Sequence, residues 1–253
     1  MIHHSNLTLE DLERLMQHTP GCPICHYGCE SGRRYIDGVM YESVNDYGLR
    51  QKLTQTMGFC AFHSQEMLTI PGAKLGASII EQAMLKEALS RLSKPANGRG
   101  SLLSSFSSKN QTNPFRISSS STCPACNHEQ EAETRALEEL LQHWDAHWLA
   151  LLARAGGFCL PHLGQALAMI SDKALSQTLK TSHQRIWEAL DSDLSEFIRK
   201  QDYRFREEAI LPAEGMASRR AMAILTGEPR QHGVCGPQHH KPQPNRTPDG
   251  RKH

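Results

Sequence analysis

One phrase, written twice, constrains this chain more than any other feature. MGFCAFH stands at Met57–His63 and GGFCLPH at Gly156–His162. Each follows a CPxC pair, CPIC at Cys22–Cys25 and CPAC at Cys123–Cys126. The intervals nearly agree: 34 residues (26–59) lie between Cys25 and Cys60, and 32 (127–158) between Cys126 and Cys159. Counting back from Cys60 and Cys159, Asp46 matches Asp145 and Leu53 matches Leu152. Duplication of one unit is the simplest origin of such a pattern.

The stretches between and after these pairs carry helical spacing. Ile36, Val39, Met40 and Val44 recur at three to four residues, as do Leu137, Leu140, Leu141, Trp144, Trp148, Leu151 and Leu152. Longer stripes follow, Leu75, Ile79, Ala83 and Leu92 in one copy and Leu175, Leu179, Ile186, Trp187, Leu190, Leu194, Phe197 and Ile198 in the other. Both stripes are expected to face the core and to pack the two halves together. Thr8 with Asp11 marks a helix start before Leu9–Met16, and Ala217–Leu225 reads as a last helix closed by Gly227. No alternating strand pattern is present. The expected fold is all-α: two helical hairpins, each knotted by a CxxC…CxxH metal site and each followed by a long helix.

The chemistry follows from the residue types. CPxC holds two thiolates on one tight turn, with proline fixing φ between them. In GFCxxH, glycine lets the chain turn out of one helix, and Cys and His then share a face of the next helix's first turn. Three sulfurs and an imidazole make a tetrahedral set that suits zinc. The expectation is one site in each half, Cys22, Cys25, Cys60 and His63 in the first and Cys123, Cys126, Cys159 and His162 in the second, with two zinc ions per chain. Four protein ligands leave no position for a catalytic water, so the metal is read as structural.

Other readings compete. Buried cysteines can be plain apolar packing. CPICH at Cys22–His26 has the form of a haem-attachment motif, but CPACNH breaks it in the second copy. CPxC also has the form of a redox dithiol, without the βαβ pattern that normally carries one. An iron–sulfur cluster on the same ligands is the main alternative, with Cys29 as an extra thiol whose counterpart is Gln130. A helical enzyme with an unrecognised site is the other. His143, Asp145 and His147 lie two apart, which on a helix separates their faces, so they read as a solvated surface. His26 and His128 follow the CPxC turns and can act behind the ligands.

The expected organisation is residues 1–93 as the first half, a Ser-rich linker at 94–122, the second half at 123–227 and a His/Pro-rich tail at 228–253 that includes Cys235. A net charge of +1 gives no strong field for nucleic acid or membrane, and any partner is expected to be a protein. No apolar run approaches the roughly 20 residues of a membrane span, and the N-terminus lacks a signal pattern. A cytoplasmic setting is therefore expected, where paired cysteines more often bind metal than form disulfides.

The chain also resembles a family of uncharacterised bacterial proteins. The resemblance rests on CPIC, YESVND at Tyr41–Asp46, GFCAFH, CPAC, GFCLPH, DYRFREE at Asp202–Glu208 and RRAMAILTG at Arg219–Gly227, and spans roughly residues 20–227. It implies a helical fold and a metal-site pattern, and carries no activity.

Overall fold

The structure is a computed structural model, and it describes residues 8–93 and 123–229. The linker, and all but the first two residues of the tail, lie outside the described residues. Within them there are ten α-helices and no strand, so the all-α reading holds. In chain order they are α1 (Leu9–His18), α2 (Pro23–Gly38), α3 (Tyr47–Thr56), α4 (Ala61–Thr69), α5 (Lys74–Ser93), α6 (Pro124–Gln142), α7 (Ala146–Ala155), α8 (Leu160–Met169), α9 (Lys173–Lys200) and α10 (Pro212–Thr226). A π-helical turn, Val39–Ser43, extends α2, and a 3₁₀ turn, Tyr203–Phe205, follows α9.

The repeat reappears as geometry. α2 and α6 each begin with proline behind a cysteine N-cap, Cys22 and Cys123. Asp46 caps α3 by accepting the Leu49 N–H, and Asp145 caps α7 by accepting those of His147 and Trp148. Both helices end in the same left-handed turn. The Leu53 carbonyl accepts the N–H of Met57 and Gly58, and the Leu152 carbonyl those of Gly156 and Gly157. Cys60 and Cys159 then cap α4 and α8 with nearly the same backbone angles, φ −66° and −67°, ψ 166° and 163°. Helix α1, with its Thr8–Asp11 capping box, and α10 are additions without a counterpart.

Two cores form, and each draws on both halves. One joins Leu12, Leu15, Ile24 and Tyr27 to Leu137, Leu140, Leu152, Phe158 and Leu179. The other joins Ile36, Val39, Leu53, Phe59, Met67 and Ile80 to Cys123 and Ala125. Between them α2 and α6 form the most extensive helix contact in the molecule. They run antiparallel, since Gly28 lies against Glu133 and Gly32 against Glu129.

The long stripes behave differently from expectation. In α9, Leu179 and Leu190 are buried and Leu175, Ile186, Trp187, Leu194 and Phe197 half-buried, while Ile198 is exposed. In α5 the buried face is Gly76, Ala77 and Ile80; Leu75 and Leu92 are 73% and 61% exposed. The expected packing of the α5 stripe on the α9 stripe is therefore replaced by α2 on α6. Glycine and alanine let α5 approach the π-helical turn closely, at Val44 and Met40, and leave its leucines outside. α9 is instead covered by α10 and α7.

Candidate metal centres

All eight expected ligands gather into two groups, but the groups are crossed between the halves. One consists of Cys22, Cys25, Cys159 and His162; the other of Cys60, His63, Cys123 and Cys126. Each CPxC is closed by the GFCxxH of the other copy. This corrects the expectation of one self-contained knot per half. The reason is helix length. At 1.5 Å per residue, the 16 residues of α2 travel about 24 Å from their own CPxC, and the 10 of α3 return about 15 Å at most. GFCAFH is thus delivered to the far end of the α2/α6 pair, where the antiparallel α6 begins with CPAC.

The two groups repeat one geometry. In the first, Nδ1 of His162 lies 3.5, 3.4 and 3.2 Å from the sulfurs of Cys22, Cys25 and Cys159, and Cys25 and Cys159 are 3.7 Å apart. In the second, Nδ1 of His63 lies 3.6, 3.4 and 3.3 Å from Cys123, Cys126 and Cys60, and Cys60 and Cys126 are 3.7 Å apart. In each group the four donor atoms all lie within 4.8 Å of one another.

The other nitrogen of each histidine meets a carboxylate. Nε2 of His63 is 3.1 Å from Glu129, with both side chains buried, and Nε2 of His162 is 3.6 Å from Glu133. A proton held on Nε2 by glutamate leaves the Nδ1 lone pair facing the sulfurs, the tautomer a metal requires. Both carboxylates come from α6, one turn apart. Their counterparts in α2 are the glycines 28 and 32, whose missing side chains make the room: an added Cβ would meet the Cγ of Glu133 or Glu129 at 2.6 or 2.5 Å. Neither glutamate is among the residues singled out from sequence. The available signal was the difference between copies, glycine in one and glutamate in the other.

The electrostatics are those of a concentrated donor set. Bonds with Cys126, and then with His63, hold the Cys123 thiol down at about 3, while the bond to Cys123 followed by burial pushes Cys126 up. Bonds with Cys22 and Cys25 pull Cys159 down, and burial pushes Cys22 up. Burial alone would lower both histidines. Bonds to Cys123 and Glu129 outweigh it and raise His63 to about 10; bonds to Cys159 and Cys25 raise His162 to about 12. Each cluster thus favours a cation at its centre, and binding one would displace protons.

The remaining candidates lie elsewhere. His143 meets the Glu139 carbonyl, and His147 pairs with Glu13 at 2.9 Å, on the surface as expected. His26 meets the Pro20 carbonyl, and His128 stacks on Tyr35. Cys29 belongs to neither cluster, and the six clustered cysteines are free. Cys235 lies outside the described residues. Among the described residues no helix is long and apolar enough to cross a membrane.

Compared with protein-family models, residues 6–232 match one described as a family of unknown function (DUF6062). No curated protein and no solved structure matches the chain.

Proposed function

The chain belongs to that family of unknown function, and we propose that it is a zinc-binding protein whose two ions clasp the halves of a duplicated helical fold. The crossed ligand sets carry this reading. An ion in either cluster would bond to α2 or α6 on one side and to the opposite half's GFCxxH turn on the other. Apparent binding of structural zinc is worth roughly 10–16 kcal/mol at neutral pH, comparable to the whole stability of a domain. On this reading, the metal decides whether the halves cohere.

Zinc is favoured by ligand type and size. With Zn–S near 2.3 Å and Zn–N near 2.05 Å, a tetrahedron has edges of about 3.8 Å between sulfurs and about 3.6 Å from sulfur to nitrogen. One sulfur pair in each cluster is 3.7 Å apart, and the histidine nitrogens lie 3.2–3.6 Å from the sulfurs. An iron–sulfur cluster places several metal atoms among its ligands and spreads them further than a single ion does. With all four protein ligands engaged, the site offers no open position for substrate, so the reading is of a binding or regulatory module with a protein partner rather than an enzyme. A cytoplasmic setting would keep the six clustered thiols reduced.

Metal counting on paired variants tests the crossing. Cys22→Ser with Cys159→Ser should leave one zinc per chain, because both changes fall in one cluster. Cys22→Ser with Cys60→Ser should leave none. The opposite result would restore one site per half, and iron with sulfide in anaerobic protein would replace zinc by a cluster.

A further inference from the structure

The two clusters match in their donors and differ in their cover. Beyond α10 the chain crosses the Cys22–Cys25 turn. Gly227 ends the helix at φ +93°, and Glu228 then lies over the first cluster. The Glu228 carboxylate accepts the Cys22 N–H at 3.0 Å, and the Glu228 N–H points at the Cys25 sulfur at 3.5 Å. Gly21, at φ +112°, has no side chain where that carboxylate sits. Cys25 is the one half-buried ligand of this cluster; Cys22 and Cys159 are 3% and 1% exposed. In the second cluster both Cys60 and Cys126 are half-buried.

We infer that the two clusters hold their metal with different permanence: Cys22/Cys25/Cys159/His162 is a fixed clasp strapped by Gly227–Glu228, and Cys60/His63/Cys123/Cys126 is the exchangeable one. The inference rests on the zinc reading above and assigns the two sites different parts within it. Metal leaves a closed four-ligand site when a competing ligand or a proton reaches one donor and that donor swings away. Two neighbouring half-buried cysteines, Cys60 and Cys126, offer that entry in the second cluster. In the first, the accessible sulfur already receives an N–H, and its turn is tied down by Glu228. The second cluster does hold the tighter histidine–carboxylate pair, His63 with Glu129. That pair acts on the buried side of the site and favours affinity; it does not close the entry at the sulfurs. The difference is therefore one of rate, and the exchangeable cluster is where the chain would respond to metal supply.

The test uses the full zinc-loaded chain, challenged with excess EDTA while iodoacetamide traps freed thiols, with native mass spectrometry counting ions and peptide mapping locating the label. The expected result is two phases, at least about ten-fold apart in rate. Early label should fall on Cys60 and Cys126, and Glu228→Ala should speed only the slow phase. A single phase, early label on Cys25, or unchanged rates in Glu228→Ala would overturn the inference while leaving a two-zinc protein intact. Protein that carries no zinc at all would remove the reading beneath it as well.

Discussion

His183 shows how one residue supports a site without joining its donor set. Its Nε2 accepts the Phe158 N–H at 2.9 Å, and its Nδ1–H donates to the Leu179 carbonyl at 2.8 Å. Accepting at Nε2 requires the neutral ring, and burial holds its pKa below the usual value. The matched position in the first half is Met84. Because the folded pKa lies below the unfolded one, the unfolded chain takes up this proton first as pH falls. The stability it confers is full above the ordinary histidine range and is lost in acid. Melting temperatures between pH 7.5 and 5 should therefore fall less in His183→Gln than in the natural chain; equal slopes would remove the role. At Glu129, the change to glutamine should keep two ions per chain but weaken one by about 10–100-fold, as is typical when a ligand histidine loses its carboxylate. Competition with a chromophoric chelator measures this. These supporting residues were not legible from motif spacing, because the groups they bond, His63 for Glu129 and the Phe158 N–H for His183, lie elsewhere in the chain and only the fold brings them together.

At the scale of elements, the contact between α2 and α6 depends on two missing side chains. Alanine in a helix interior normally gains about 1 kcal/mol over glycine. At Gly32 the new Cβ would meet the Cγ as well as the carboxylate of Glu129, which is buried and bonded to His63. Overpacking of that kind costs about 1–3 kcal/mol. Gly32→Ala should thus be destabilising despite its better propensity and should weaken zinc at the Cys60 cluster specifically. Denaturation midpoints together with chelator competition check both parts, and a stabilised protein with unchanged affinity would refute the packing argument. Part of the element level was legible from sequence: Thr8 with Asp11 opens α1 and Gly227 closes α10, while Asp46 and Asp145, matched only as repeat positions, cap α3 and α7. The buried face of α5 was misread because hydrophobicity alone favours Leu75 and Leu92. Close approach of two backbones favours Gly76 and Ala77 instead.

For the whole molecule, the eight residues that gather into the two clusters were legible and their partition was not. The motifs are interchangeable: either CPxC can be closed by either GFCxxH, and near-equal spacings fit both schemes. What breaks the tie is rigid helix length together with antiparallel pairing of α2 and α6, neither of which a spacing count contains. Crossing has a consequence that self-contained knots would not have. If the linker is cut, co-expressed fragments 1–100 and 118–253 should remain together, held by two mixed cores as well as by metal. Removing zinc should loosen that association, because each ion binds one fragment to the other; on a sizing column the pair should shift toward separate species with EDTA and recover with zinc. Expressed alone, each fragment holds one CPxC and one GFCxxH that face different partners in the intact fold. Each should then bind zinc at least about ten-fold more weakly than the pair, since the folding that assembles the ligands is part of the binding free energy. Fragments that separate with both ions retained, or that bind zinc alone as tightly as together, would show that each half closes its own site.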